Sequence, residues 1–103
     1  MLTVTENAKR HLKSLLVKNT SDHNLGIRLR MGNGMQLGVM LDRKADGDHV
    51  VEHNGAEVLL VGSELFPLVN DAILDTQKDG SVESLVITKR ENQSGRRIWN
   101  NLF

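Results

Sequence analysis

The chain has 103 residues, thirteen basic and thirteen acidic, with four histidines and no cysteine. That length holds one domain with one modest core, and the balanced charge disfavours nucleic acid or an anionic membrane as the main partner. The missing thiols exclude a disulfide framework, a cysteine nucleophile, a zinc–thiolate site and a cysteine-ligated iron–sulfur cluster within one chain.

The first element is a helix. Val4, Ala8, Leu12, Leu15 and Leu16 recur at helical spacing, with Lys9, Arg10, Lys13 and Ser14 on the other faces. Thr5 is its expected N-cap and Glu6 complements the helix dipole, so the helix spans about 6–17. Polar residues 19–24 form a loop. The period then changes to two: Ile27, Leu29 and Met31 alternate with Arg28 and Arg30, and Met35, Leu37, Val39 and Leu41 alternate with Gln36, Gly38, Met40 and Asp42. Gly32-Asn33-Gly34 separates these two strands. A solvated turn centred on Asp46-Gly47 follows, and Asn54-Gly55 joins strands 49–53 and 56–61 in a tight hairpin. Ser63 is the expected N-cap of a short helix that holds Pro67 in its first turn. Residues 72–75 read as a brief strand, Lys78-Asp79-Gly80 as a turn and 85–88 as another strand. These elements define an α+β class: a mostly antiparallel mixed β-sandwich or flattened barrel of five to seven strands, with one N-terminal amphipathic helix and one short helix. No apolar run approaches the roughly 20 residues of a membrane span, and the polar start after Met1 has no leader core, so a cytoplasmic location is expected.

Several strings invite a chemical reading. Gly32-Asn33-Gly34 with Gly38 leads into a strand, whereas a phosphate-cradling loop opens a helix, so it reads as a hairpin turn. His49 and His53 lie roughly 13 Å apart along a strand at about 3.3 Å per residue, too far for one ion; His11 and His23 are surface positions. Asp42, Asp46 and Asp48 bracket a turn but lack the ligand number of a calcium loop. Asp71 and Asp75 have no partner for acid–base work. Met31, Met35 and Met40 read as core filling or as a partner-binding patch. In the tail, Ile98, Trp99, Leu102 and Phe103 follow helical spacing behind Arg96-Arg97. Such apolar bulk either packs on the domain or a neighbouring subunit, or docks to another protein.

The order of these elements, with several local strings, resembles the HesB/IscA domain, the A-type carriers of iron–sulfur biogenesis. The strings are Leu2-Thr3-Val4-Thr5-Glu6-Asn7-Ala8, Gly26-Ile27-Arg28-Leu29, Gly34-Met35-Gln36-Leu37, the hairpin from Asp48 to Gly55, Val58 to Leu65, and Asn70 to Asp75. The resemblance covers residues 1–90 as a HesB/IscA-like domain and leaves 91–103 as a C-terminal tail. It implies the family's fold, and it locates what is missing. The family holds its cluster with one cysteine in a Gly-Cys-Ser-Gly loop, where this chain has Met35, and two in a Cys-Gly-Cys tail, which this chain lacks. A thioether carries no charge with which to bind iron as a thiolate does.

The functional expectation is a non-catalytic HesB/IscA-like protein, accessory to iron–sulfur cluster biogenesis through protein–protein contact and without a Cys-ligated cluster or other cofactor. Met35 marks the family's ligand position, and Ile98, Trp99, Leu102 and Phe103 are the candidate partner-binding residues. The expected partner is another protein or a second copy, not nucleic acid or membrane. The alternative is a divalent metal such as iron held by His and Asp side chains across an oligomer.

Overall fold

The computed structural model describes residues 2–32, 36–89 and 95–100, with side chains described throughout except at 95–97 and 99–100. Two sheets and one long helix enclose an aliphatic core. Strand β1 is Thr3–Val4, helix α1 Glu6–Asn19, β2 Leu25–Met31, β3 Leu37–Arg43, β4 His49–His53 and β5 Ala56–Val61. A 3-10 turn at Ser63–Leu65 runs into α2, Phe66–Val69, and then come β6 Ala72–Asp79, β7 Val82–Lys89, β8 Gly95–Arg97 and β9 Trp99–Asn100.

Helix α1 begins where Thr5 Oγ1 accepts the Ala8 N–H at 3.1 Å, satisfying a donor that the first turn leaves unpaired. The same hydroxyl donates to Asp75 Oδ1 at 2.7 Å, which ties the cap to β6. Ala8, Leu12 and Leu16 form the buried stripe; fully burying a leucine such as Leu12 stabilises by roughly 1.5–3 kcal/mol. The hairpin turn has Asn54 at φ +51° and Gly55 at φ +80°, the left-handed pair that matches strand twist.

One sheet runs β1-β6-β7-β8 and the other β4-β5-β2-β3-β9. Pairings β2–β3, β4–β5, β6–β7 and β7–β8 are antiparallel, while β1–β6, β2–β5 and β3–β9 are parallel. Leu74, Leu85 and Ile87 of the first sheet, Ile27, Leu29, Val39, Leu59 and Val61 of the second, and the α1 stripe share one core. The expected α+β sandwich is therefore present, and its described strands do not close into a barrel.

Three expectations need correction. Strands β6 and β7 are each eight residues long, because their outer halves extend past the apolar core as a polar hairpin that pairs through to Asp79 and Val82. Ser63 does not cap the short helix; Gly62 occupies that position with no side-chain cap bond. The tail is not helical over its described part, because β8 and β9 pair with β7 and β3.

Candidate functional site

The described end of the tail lies against β3, the strand that follows the segment holding Met35. Strand β9 runs parallel to β3, with Trp99 beside Gly38 and Asn100 beside Val39. Met35 precedes Gly38 by three positions, and it lies outside the described residues, as do Leu102 and Phe103. Its loop is closed at the base by the Gly32 N–H donating to the Gln36 carbonyl at 2.6 Å. Because β2 and β3 are antiparallel neighbours, that connection ends a hairpin and opens no helix, which removes the phosphate-loop reading.

Ile98 links the two short tail strands. Its N–H donates to the Leu85 carbonyl at 2.9 Å, and its side chain joins the core with only 3% of the residue exposed. Ile98 is thus enclosed by its own domain and presents no docking surface, since an apolar side chain buried among aliphatic residues gains from exclusion of water there. Trp99 is placed by its backbone at the edge of β3. Among the methionines, Met31 packs against the core, and Met40 sulfur accepts from Arg30 Nη1 at 3.7 Å.

The other polar candidates are dispersed. His49 lines a cavity of about 520 Å³ beside Phe66 and Pro67, whereas His53 stands 3.9 Å from Glu6 of α1. A bulge between Val51 and Glu52 separates them along β4. His11 Nδ1 lies 3.2 Å from Glu83 Oε1. Among the described residues no group of three or more His, Cys, Asp or Glu side chains could hold a metal ion. Asp75 is occupied by Thr5 and by the Thr76 N–H at 2.8 Å, and Asp71 sits in a left-handed turn at φ +62°.

Sequence reading missed a cluster around Arg28. This β2 residue, one of the alternating polar positions, sends Nη1 and Nη2 to the two carboxylate oxygens of Asp48 at 3.0 and 2.7 Å. Nε donates to Asp42 at 2.6 Å and Nη2 also donates to the Arg43 carbonyl at 3.1 Å. Asp48 further accepts the Ala45 N–H at 2.8 Å. The forked guanidinium thereby fastens the 43–48 connection onto the sheet. The hydrogen bonds from Arg28 hold the Asp48 carboxyl below its usual range, against the opposing effect of burial. Asp42 is lowered first by the Arg43 N–H and then by Arg28, and Arg28 itself is raised, chiefly by Asp48. The only sequence signal was an arginine in an apolar strand; the carboxylates 14 and 20 residues away carry no local pattern. The cluster binds a turn and leaves no reactive group free.

No protein-family model and no curated protein sequence matches the chain. Solved structures do. SufA of Escherichia coli, involved in biosynthesis of iron–sulfur clusters, is similar with a TM-score of 0.63 at 26% identity, over 85% of this chain and 84% of that one. A protein from Aquifex aeolicus, solved by NMR in solution, gives a TM-score of 0.60 at 28% identity, over 85% and 90%. IscA with a [2Fe-2S] cluster shares the fold at a TM-score of 0.54 and 15% identity, over 87% and 83%. The chain has the HesB/IscA-like fold, and it has no cysteine at any position.

Proposed function

We propose that this cysteine-free domain of HesB/IscA-like fold is a non-catalytic accessory protein of iron–sulfur cluster biogenesis, acting by protein–protein contact and holding no cluster of its own. The observation that carries the reading is the pairing of a SufA-like fold with the absence of every thiolate from the sequence. Iron–sulfur clusters are held by cysteine thiolates, and neither a thioether nor scattered imidazoles supplies that charge. Convergence of the Met35 loop base and the β9 backbone at one sheet edge supports this edge as the contact region, with Met35, Trp99, Leu102 and Phe103 as its proposed residues.

Two measurements test the reading. Anaerobic incubation with ferrous iron and sulfide, followed by desalting, should leave no visible absorbance on the protein; a retained cluster chromophore would overturn the proposal. A photo-crosslinking amino acid at position 35 or 99, introduced in the native cells, should trap an iron–sulfur assembly protein or a second copy of the chain. Crosslinks to neither, with the protein folded and expressed, would remove the accessory role.

A further inference from the structure

Helix α1 carries four of the chain's thirteen basic residues, Lys9, Arg10, Lys13 and Lys18, against a single acid, Glu6. Glu6 lies 3.5 Å from Lys9, and Lys13 and Lys18 make no ion pair among the described residues. Lys9 and Lys13 stand four positions apart, a spacing at which like charges destabilise a helix. A chain that is neutral overall therefore concentrates positive charge on one helix, at some expense to that helix, and leaves the remainder acidic.

Part of this charge borders an open cleft whose cations are exposed to solvent. Where α1 passes the outer part of the β6–β7 hairpin, a cleft of about 520 Å³ opens between them. Arg10 and Lys18 line it from the helix and Lys78 from β6, with the Ser14 and Ser81 hydroxyls on the two walls. Its acid, Glu83, is engaged by His11 at 3.2 Å, and Arg10 is steadied by donating to Asn7 Oδ1. Cations on both sides of a concavity raise the local concentration of anions, and the hydroxyls add directional donors to them.

We propose that this cleft is a docking site for an acidic segment of a protein partner, taking two or more neighbouring carboxylates between Lys18 and Lys78. A protein suits the site better than a nucleic acid. Tracking a phosphate backbone calls for an extended array of contacts, about 6–10 in typical cases, whereas three Lys and Arg side chains line this cleft. Single strands are also gripped by stacking on aromatic rings, and no Phe, Tyr or Trp among the described residues lines the cleft. The site uses α1, β6 and β7 and is independent of the edge formed by β3 and β9, so either proposal stands if the other falls.

The test titrates an oligoglutamate peptide into the isotope-labelled full chain and follows amide resonances by NMR. Saturable shifts centred on Ser14, Lys18, Lys78 and Ser81 are expected, weakening steeply between about 0.05 M and about 0.5 M salt. Lys18→Glu and Lys78→Glu should each weaken binding about fivefold or more, while Arg30→Glu, the same charge change on an exposed position of β2, should leave it within about twofold. No saturable shift, shifts centred elsewhere, or equal weakening by Arg30→Glu would overturn the site. A single-stranded oligonucleotide that binds as tightly as the peptide would overturn the choice of partner. Should a charge-reversed variant fail to fold, Lys18→Ala and the wild-type shift map still decide the matter.

Discussion

Replacing Arg28 by methionine keeps the aliphatic length of the side chain and removes every donor that holds the 43–48 connection. The wild-type guanidinium makes two bonds to Asp48, one to Asp42 and one to the Arg43 carbonyl. Its side chain is 14% exposed and that of Asp48 only 3% exposed, whereas that of Asp42 is 43% exposed. In Arg28→Met, Asp42 turns to water with little loss. Asp48 is left as an enclosed carboxylate with one donor, the Ala45 N–H. Breaking a buried ion pair from one side destabilises by about 3–5 kcal/mol, and the residual exposure of Arg28 puts the expected loss near the lower end, about 3 kcal/mol. Urea unfolding followed by far-ultraviolet circular dichroism measures it. Asp48→Asn alone should lose about 2 kcal/mol, and the double variant Arg28→Met/Asp48→Asn should recover part of the sum, giving a coupling of about 2 kcal/mol. Both carboxyls titrate below their ordinary range in the folded chain. The stability they contribute is therefore fully present above about pH 4, the ordinary carboxylate value, and is lost as pH falls through the lower folded values. The gap between wild type and Arg28→Met should accordingly narrow below about pH 3. A coupling under about 0.5 kcal/mol, or a gap independent of pH, would refute the account of the cluster as a part-buried clamp.

Two further predictions concern packing. A Cβ on Gly26 would lie 2.8 Å from the Glu57 carbonyl oxygen and 3.3 Å from Leu60 Cγ, while the atoms nearest to one on Gly62 are those of the Glu64 carboxylate. Gly26→Ala should destabilise by about 1–3 kcal/mol and Gly62→Ala by much less, because a backbone contact cannot swing aside as a glutamate does; thermal melts of the pair would expose the error if Gly62→Ala were the worse. Ile98→Ala should lose about 2–4 kcal/mol, as for other buried aliphatic truncations, and an unchanged urea midpoint would show that the tail is not part of the core. A truncation after Gln93 removes the same side chain with β8 and β9, so it reports stability as well as recognition and is a poor probe of binding alone.

The parts of this fold legible from residues were those in which local signals and global packing agree. The α1 stripe, the Asn54-Gly55 turn and the alternating strands β2 and β3 each combine periodicity with a turn or cap that permits one reading. The tail misled for a physical reason. Ile98, Trp99, Leu102 and Phe103 have helical spacing, but residues 95–100 lie against open strand edges of β7 and β3, and pairing with an existing strand outweighs a weak local preference. The outer halves of β6 and β7 were missed because, apart from the exposed Val82, the residues at 76–79 and 82–84 are polar, so no alternation marks them. The Met35 position was found only through resemblance. The basic cleft was half visible, since the lysines and arginine of α1 stand in the sequence, while Lys78 joins them only once the β6–β7 hairpin is set beside the helix.

Strand β1 has its partner about seventy residues further along: Thr3 and Val4 pair with Ile73 and Leu74, and Thr5 bonds Asp75. Until that distant segment arrives, α1 can form its turns and meet β2, β4 and β5, but it lacks the β6 side of the surface that buries Leu12 and Leu16. Assembly must first close a long loop, whose entropy is lost before any contact offsets it. Architectures rich in such remote pairings refold in milliseconds to seconds rather than microseconds, and in that interval the leucine stripe of α1 is only partly covered. The joint that ties the start of the chain to its later half is therefore also expected to form slowly, and to leave apolar surface open to aggregation until it does.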